Sequence, residues 1–242
     1  MDGFSPSVID YWRARFGGRA IATGGELSVT VDDTLSVKCA AMILELADGS
    51  RYAALRPGLA DRIALRVSAG VTTARLRREL VDAGVALHDP DFLFYWPADA
   101  ACDAVADAGC VVRRLIAADA AAFVAFQAQA SEQDREDAWV ELDHWAVFGC
   151  FVGGRLVSAA SLFAWPESMI VDLGVLTLHD ARGRGHGRAV VRAISRFARQ
   201  QGREPQYRCQ TDNHASVALA RACGMIVFGT WEVARDDAAR DE

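Results

Sequence analysis

Residues 182–188 read Arg-Gly-Arg-Gly-His-Gly-Arg, and this stretch limits the fold more than any other part of the chain. Ahead of it, Met169 to Leu178 is a β-rich apolar run with strand character. Behind it, Val190, Val191, Ile194, Phe197 and Ala198 recur at helical spacing. A strand, a glycine-rich turn and a helix start, in that order, make an anion cradle. Glycine lets a backbone approach its ligand with no Cβ in the way. The N–H groups and the dipole of the first helical turn then face the charge.

The spacing excludes two common cradles. A dinucleotide fingerprint needs a third glycine, and the positions it would occupy hold Arg188 or Val190. A Walker loop needs Gly-Lys before Ser or Thr, and the single lysine, Lys38, lies far upstream. The remaining pattern is Arg-x-x-Gly-x-Gly, formed by Arg182, Gly185 and Gly187. It resembles the acetyl-coenzyme A pyrophosphate loop of the GNAT family of N-acetyltransferases. Downstream, Gln206 to Met225 reads as a strand, a turn at Asp212-Asn213 and a short helix stopped by Gly224. Its frame Asn213-x-x-Ser216-x-x-Leu219 is similar to the second coenzyme-binding motif of the same family.

The resemblance covers residues 112–234 and implies a GNAT acyltransferase fold, a mixed α+β sheet. Residues 1–111 are expected to form a smaller N-terminal α+β domain, similar to a degenerate second module, and 235–242 a disordered charged tail. Within the C-terminal half, Arg113 to Ile116 reads as a short strand. Asp119 reads as the cap of a helix through Phe123 and Phe126. An acidic helix follows over 131–140, then a hairpin across Gly153-Gly154 from Trp145–Val152 to Arg155–Trp165. Met225 to Val233 reads as a last strand. In the N-terminal half, Ser7–Phe16 and Thr72–Ala83 read as helices. Leu27–Val31, Val37–Leu46 and Tyr52–Leu55 read as strands.

Net charge is −6, which argues against a general nucleic-acid binder. Seven arginines nevertheless fall between 182 and 203 with no carboxylate among them. Arg182, Arg184 and Arg188 belong to the loop and suit a polyanionic ligand; Arg192, Arg196 and Arg199 read better as a solvated helix face. No apolar run approaches the length of a membrane span, and Met1 to Ser5 has no signal pattern, so a cytoplasmic chain with no membrane partner is expected. The six cysteines show no Cys-x-x-Cys pair and no zinc spacing with histidine, so neither disulfide nor metal is expected.

The resemblance also implies roles for particular residues. The main chain of Val175, Leu176 and Thr177 would bond the pantetheine arm of acetyl-coenzyme A, with an N–H near Leu176 polarising the thioester. The amides of Gly183, Arg184, Gly185, His186, Gly187 and Arg188 would hold the pyrophosphate, with Arg182 opening the loop. Asn213 and Ser216 would reach the pantetheine. Asp172 is the expected base, acting through water, with burial raising its pKa. Many relatives carry a tyrosine proton donor seven residues after the motif asparagine; here that position is Ala220, and Tyr207, Cys209 or water is left to serve. The acids Glu132, Asp134, Glu136, Asp137, Glu141 and Asp143 would favour a cationic amine at the acceptor mouth, where His144 and Trp145 could also lie. The expectation is an N-acetyltransferase for a small-molecule or protein amine, with a homodimer as an oligomeric option. A non-catalytic acyl-coenzyme A sensor is the alternative.

Overall fold

The structure, a computed structural model, describes residues 3–23, 25–63, 70–102 and 109–235. In chain order the elements are α1 (Pro6–Arg15), β1 (Arg19–Ala22), β2 (Ser28–Val31), β3 (Ala41–Leu46), β4 (Arg51–Leu55), α2 (Pro57–Arg62), α3 (Thr73–Asp82) and β5 (Asp91–Tyr95). Then come β6 (Val111–Arg114), α4 (Ala120–Gln127), α5 (Glu132–Ala138), β7 (Ala146–Val152), β8 (Arg155–Ala164) and β9 (Ile170–Thr177). The chain closes with α6 (His186–Gln200), β10 (Glu204–Gln210), α7 (His214–Cys223) and β11 (Ile226–Val233). The mixed α+β class expected from sequence is the one observed. No helix among the described residues is long and apolar enough to cross a membrane.

Contacts divide the chain into two compact units. The first takes its described residues from Met1–Leu93, Cys209–Asn213 and Val227–Glu242. In it β2 pairs with β1 antiparallel and with β4 in parallel, β4 with β3 antiparallel, and β3 with β11 antiparallel. One sheet face buries Val29, Ile43, Ala53 and Leu55 with Leu59 of α2 and Leu76 and Leu80 of α3. The other takes Trp12 of α1, whose indole lies 5.6 Å from Trp231 and 6.2 Å from Phe228. Ser5 caps α1, and its hydroxyl accepts from the Val8 N–H.

The second unit holds Phe94–Arg208 and His214–Ile226. Its strands β6, β7, β8 and β9 pair antiparallel in sequence, and β10 joins β9 in parallel. The β7–β8 hairpin turns on Gly153 (φ 57°) and Gly154 (φ 82°), a backbone region that L side chains resist. Helix α6 covers the sheet with a stripe of Val190, Val191, Ile194 and Ala198, all buried.

Several expectations need correction. Val37–Cys39 is a 3-10 turn ahead of β3, because the Ser36 hydroxyl accepts from the Cys39 N–H at 3.1 Å and curls the chain. The strand expected at Arg113–Ile116 begins at Val111 and stops at Arg114. Asp119 does not cap α4 with its side chain. Its carboxylate turns back to the Ile116 N–H (2.9 Å) and the Arg113 guanidinium (2.7 and 2.8 Å), and that contact ends the strand. Strands β1 and β5 and helix α2 are additions to the sequence reading. The expected tail lies outside the described residues from 236 on; Arg235 is held by its N–H to the Ala86 carbonyl at 2.8 Å.

Candidate active site

The site begins where β9 loses a neighbour. Against β8 it pairs along its length, from Ala164↔Val171 to Ser158↔Thr177. Against β10 it pairs only from Glu204↔Ile170 to Tyr207↔Leu173, although β10 runs on to Gln210. The strands therefore part after Leu173, and Gly174 to Thr177 offer main-chain groups along an unpaired edge. Val175, Leu176 and Thr177 all lie in this stretch.

The glycine loop follows directly. A 3-10 turn at His179–Ala181 leads to Arg182 in extended conformation, then Gly183 (φ 73°) and Gly185 (φ 84°), and α6 starts at His186. A Cβ at Gly183 would meet nothing within 4 Å, so no other part of the protein packs against the loop at that point. Among the described residues, no N–H from Gly183 to Arg188 donates to a protein acceptor; the first helical bond is Ala189 N–H to Gly185 O. A run of unbonded donors at the start of a 15-residue helix is a strong local demand for an anion. At Gly187 a Cβ would lie 3.1 Å from Thr177 Oγ1 and 3.4 Å from Leu219, so glycine lets α6 sit directly on β9.

The Arg182 guanidinium is already engaged. Its Nε donates to Thr177 O (3.1 Å) and Nη2 to Asp134 of α5 (2.8 Å). Asp134, also bonded by Ser131, is held below the usual carboxylate range. Arg182 thus ties α5 to the end of the open strand. Arg184 is exposed and Arg188 half-buried.

On the sheet face away from α6, Asp172 is the centre of a polar relay. Gln206 Nε2 donates to Asp172 Oδ1 at 3.1 Å, and the Tyr95 hydroxyl donates to Gln206 Oε1. Arg208 reaches Asp172 Oδ2 at 3.1 Å. Beside them, His144 Nδ1 lies 2.8 Å from Ser161 Oγ, and Ser161 pairs in register with Gly174. The His144 ring is 4.9 Å from Trp139 and 5.6 Å from Phe163, which are 4.8 Å from each other. Trp139 is 50% and Phe163 37% exposed, so two large rings of this box face outward. Trp139 has φ 42°, a left-handed backbone that a bulky residue adopts only under constraint. Trp139 is the C-cap of α5, its N–H bonded to Arg135 O at 2.9 Å, and Gly174 leaves room for this turn: a Cβ there would stand 2.1 Å from Ala138 O. Burial pushes the His144 imidazole down from its usual pKa, against the pull of Asp143 and Glu141.

Residues 113–225 match the acetyltransferase (GNAT) family. They are a GNAT domain. The described chain is similar in fold to a GCN5-related N-acetyltransferase from Sphaerobacter thermophilus, with TM-score 0.52 and 15% identity over 81% of this chain and 76% of that one. A GNAT-family acetyltransferase from Novosphingobium aromaticivorans aligns at 20% identity and TM-score 0.48 over 62% of this chain. One from Kribbella flavida aligns at 21% and 0.49 over 69%. The aligned part spans 65% of the length of each of these last two. No curated protein matches the chain.

Other residues singled out in the GNAT domain divide plainly. Tyr207 is 3% exposed, with its ring edge-on to Phe94 at 6.4 Å. Asn213 sits in the turn before α7, its N–H bonded to Gln210 O at 3.1 Å, and Ser216 is half-buried on α7. Ala220 is fully buried. Trp145 packs on Phe197 of α6 at 5.5 Å, while its neighbour His144 turns to the aromatic box. Arg199 donates to the carbonyls of Ala98 (2.7 Å) and Ala100 (2.6 Å), and Arg203 to Ser168 O (2.6 Å). Arg192 lies over the Trp96 ring at 5.3 Å. Much of the arginine block fastens neighbouring backbone. Sequence reasoning missed Tyr95, Trp139, Ser161, Phe163, Gln206 and Arg208. None stands in a motif, and it is the strand register that gathers them.

Proposed function

We propose that the chain is an acetyl-coenzyme A-dependent N-acetyltransferase acting on a primary amine. The observation that carries this reading is the run of unbonded N–H groups from Gly183 to Arg188, at the end of a strand that has lost its neighbour. The loop takes the pyrophosphate through Gly183, Arg184, Gly185, His186, Gly187 and Arg188. The open edge at Val175, Leu176 and Thr177 takes the pantetheine arm, and Asn213 and Ser216 add polar contacts. Arg182 acts through the shape of the loop.

Transfer requires a neutral amine in line with the thioester, a polarised carbonyl and a proton for the departing thiolate. Trp139, His144 and Phe163 form the acceptor wall, with the acids of α5 and Glu141 and Asp143 nearby in sequence drawing a cationic amine. His144 takes the amine proton, directly or through water, because it is a base kept neutral near pH 7. Asp172 lies on the same face with its two carboxylate oxygens engaged by Gln206 and Arg208, so it is assigned an orienting role. Tyr207 is enclosed against Phe94, and the thiolate is assigned its proton from water.

Thermal unfolding with and without acetyl-coenzyme A tests the cradle. Ligand at about 100 times its dissociation constant adds ~2.7 kcal/mol. An unchanged midpoint at millimolar coenzyme would remove the assignment. The sensor reading keeps one supporting observation, the buried Ala220 where relatives place an acid. Thioester consumption over a panel of amines separates the two: binding with no turnover on any amine favours the sensor.

A further inference from the structure

Three side chains of metal-ligating type meet in the second unit although they are far apart in sequence. Cys110 precedes β6, Cys150 lies on β7, and His186 opens α6. Their ligand atoms all lie within 4.8 Å of one another. Register explains the meeting. Cys150 pairs with Val112 of β6 and with Ser158 of β8, and Ser158 pairs with Thr177, the residue beneath Gly187 of α6. Cys110, two residues before Val112, shares that face. Cys150 is 0% exposed, and Cys110 and His186 are half-buried. His186 Nδ1 is shut off from solvent and finds no hydrogen-bond partner among the described residues. A buried nitrogen left in that state costs free energy, and coordination through it would remove the cost.

We propose that Cys110, Cys150 and His186 form a zinc site. Two thiolates and an imidazole are a zinc donor set, and tetrahedral Zn–S and Zn–N bonds of about 2.3 and 2.0 Å place ligand atoms roughly 3.5–3.8 Å apart. The cluster need contract only slightly to reach that spacing. The fourth position takes water. A cavity of about 200 Å³, lined by Arg155, Val157, Asp180 and Arg184, borders His186 on one side. On binding, each thiol gives its proton to solvent as its sulfur bonds the metal, so the bound Zn²⁺ with two thiolates is neutral. The ion would pin the first turn of α6 to β6 and β7, which makes metal supply a control on the order of the glycine loop. The site stands whatever that loop binds.

The test uses the full chain, stripped of metal with a chelator and kept reduced. Co²⁺ is added first, then Zn²⁺. One Co²⁺ per chain with a near-ultraviolet thiolate-to-cobalt band, displaced by Zn²⁺, is the expected result. Cys110→Ser and His186→Gln should each weaken Zn²⁺ by about 100-fold or more, since even changes behind the ligands cost 10–100-fold. Cys39→Ser should change nothing. Because Cys150→Ser alters a fully buried position, the wild-type chain supplies a second measurement: Zn²⁺ should protect Cys110 from alkylation, read by peptide mass. Absence of the cobalt band, its survival in Cys110→Ser, or unprotected Cys110 at saturating Zn²⁺ would each overturn the proposal.

Discussion

At the scale of single residues, the imidazole of His144 is the group whose chemistry depends most on its surroundings. Desolvation among Trp139 and Phe163 disfavours the imidazolium, so the ring stays neutral to lower pH than an ordinary histidine. The sign for stability follows. Below about pH 6.5 the unfolded chain binds a proton here that the folded chain resists, so folding weakens as pH falls through that range. His144→Gln should flatten the fall, seen as a smaller difference in melting temperature between pH 7.5 and 5.5. On the proposed reaction the same variant should lose about 10²-fold or more in kcat, the usual worth of a positioned base. If kcat drops less than threefold while the pH dependence of stability flattens, His144 is a structural histidine. Asp119 follows the opposite rule. The Arg113 guanidinium and the Ile116 N–H hold it down to about 2, so what it contributes is complete above roughly pH 4 and is lost as pH falls from there through about 2. Asp119→Asn should therefore alter the melting temperature at pH 7 and leave it unchanged near pH 2.

At the scale of elements, the cradle is a join between β9 and α6, and glycine is required there for more than one reason. Gly183 and Gly185 carry positive φ, Gly183 beside open space, whereas Gly174 and Gly187 are places where a Cβ meets another element. Gly185→Glu adds strain and a negative charge where the loop presents its N–H groups. It should abolish acetyl-coenzyme A binding by calorimetry while the circular dichroism spectrum is retained. Gly174→Ala acts on α5 instead. Its methyl group would stand 2.1 Å from the Ala138 carbonyl and force α5 and Trp139 off the strand. The expected cost is roughly 1–3 kcal/mol, the range for overpacking; an unchanged melting temperature would show that the Ala138–Trp139 turn yields freely. This join was the legible part of the sequence, because glycine spacing and apolar periodicity are local signals. The acceptor side was not. Trp139, Ser161, Phe163 and Arg208 come from separate segments, and their meeting depends on strand register. The same is true of Cys110, Cys150 and His186, whose spacing along the chain resembles no metal motif.

At the scale of the whole molecule, the chain divides into the unit that carries the cradle and the unit built on α1, α2 and α3. The latter unit was the less legible half. Its strands are short, and the partner of β3 is β11, which lies some 180 residues further along the chain and leaves no local trace. Its best-placed polar feature is Arg77 of α3, whose guanidinium donates to Glu45 of β3 at 2.6 Å and to both carboxylate oxygens of Glu232 on β11. Burial alone would raise the Glu45 pKa, but the bonds from Arg51 and Arg77 outweigh it and hold the group down. Glu232 is 6% exposed, so its charge has little solvent to fall back on. Arg77→Ala would strand that carboxylate, and loss of a charged partner costs about 1.5–3 kcal/mol. Arg77 itself is 40% exposed on its side chain, so solvent screening makes the loss smaller than for a fully buried pair. None of these residues belongs to the cradle or to the aromatic box. Arg77→Ala should therefore lower the urea midpoint while leaving the dissociation constant for acetyl-coenzyme A within twofold at 20 °C. A large loss of affinity in fully folded variant would mean that the ion network of the first unit sets the geometry of the glycine loop, and the cradle could no longer be treated as a property of β9 and α6 alone.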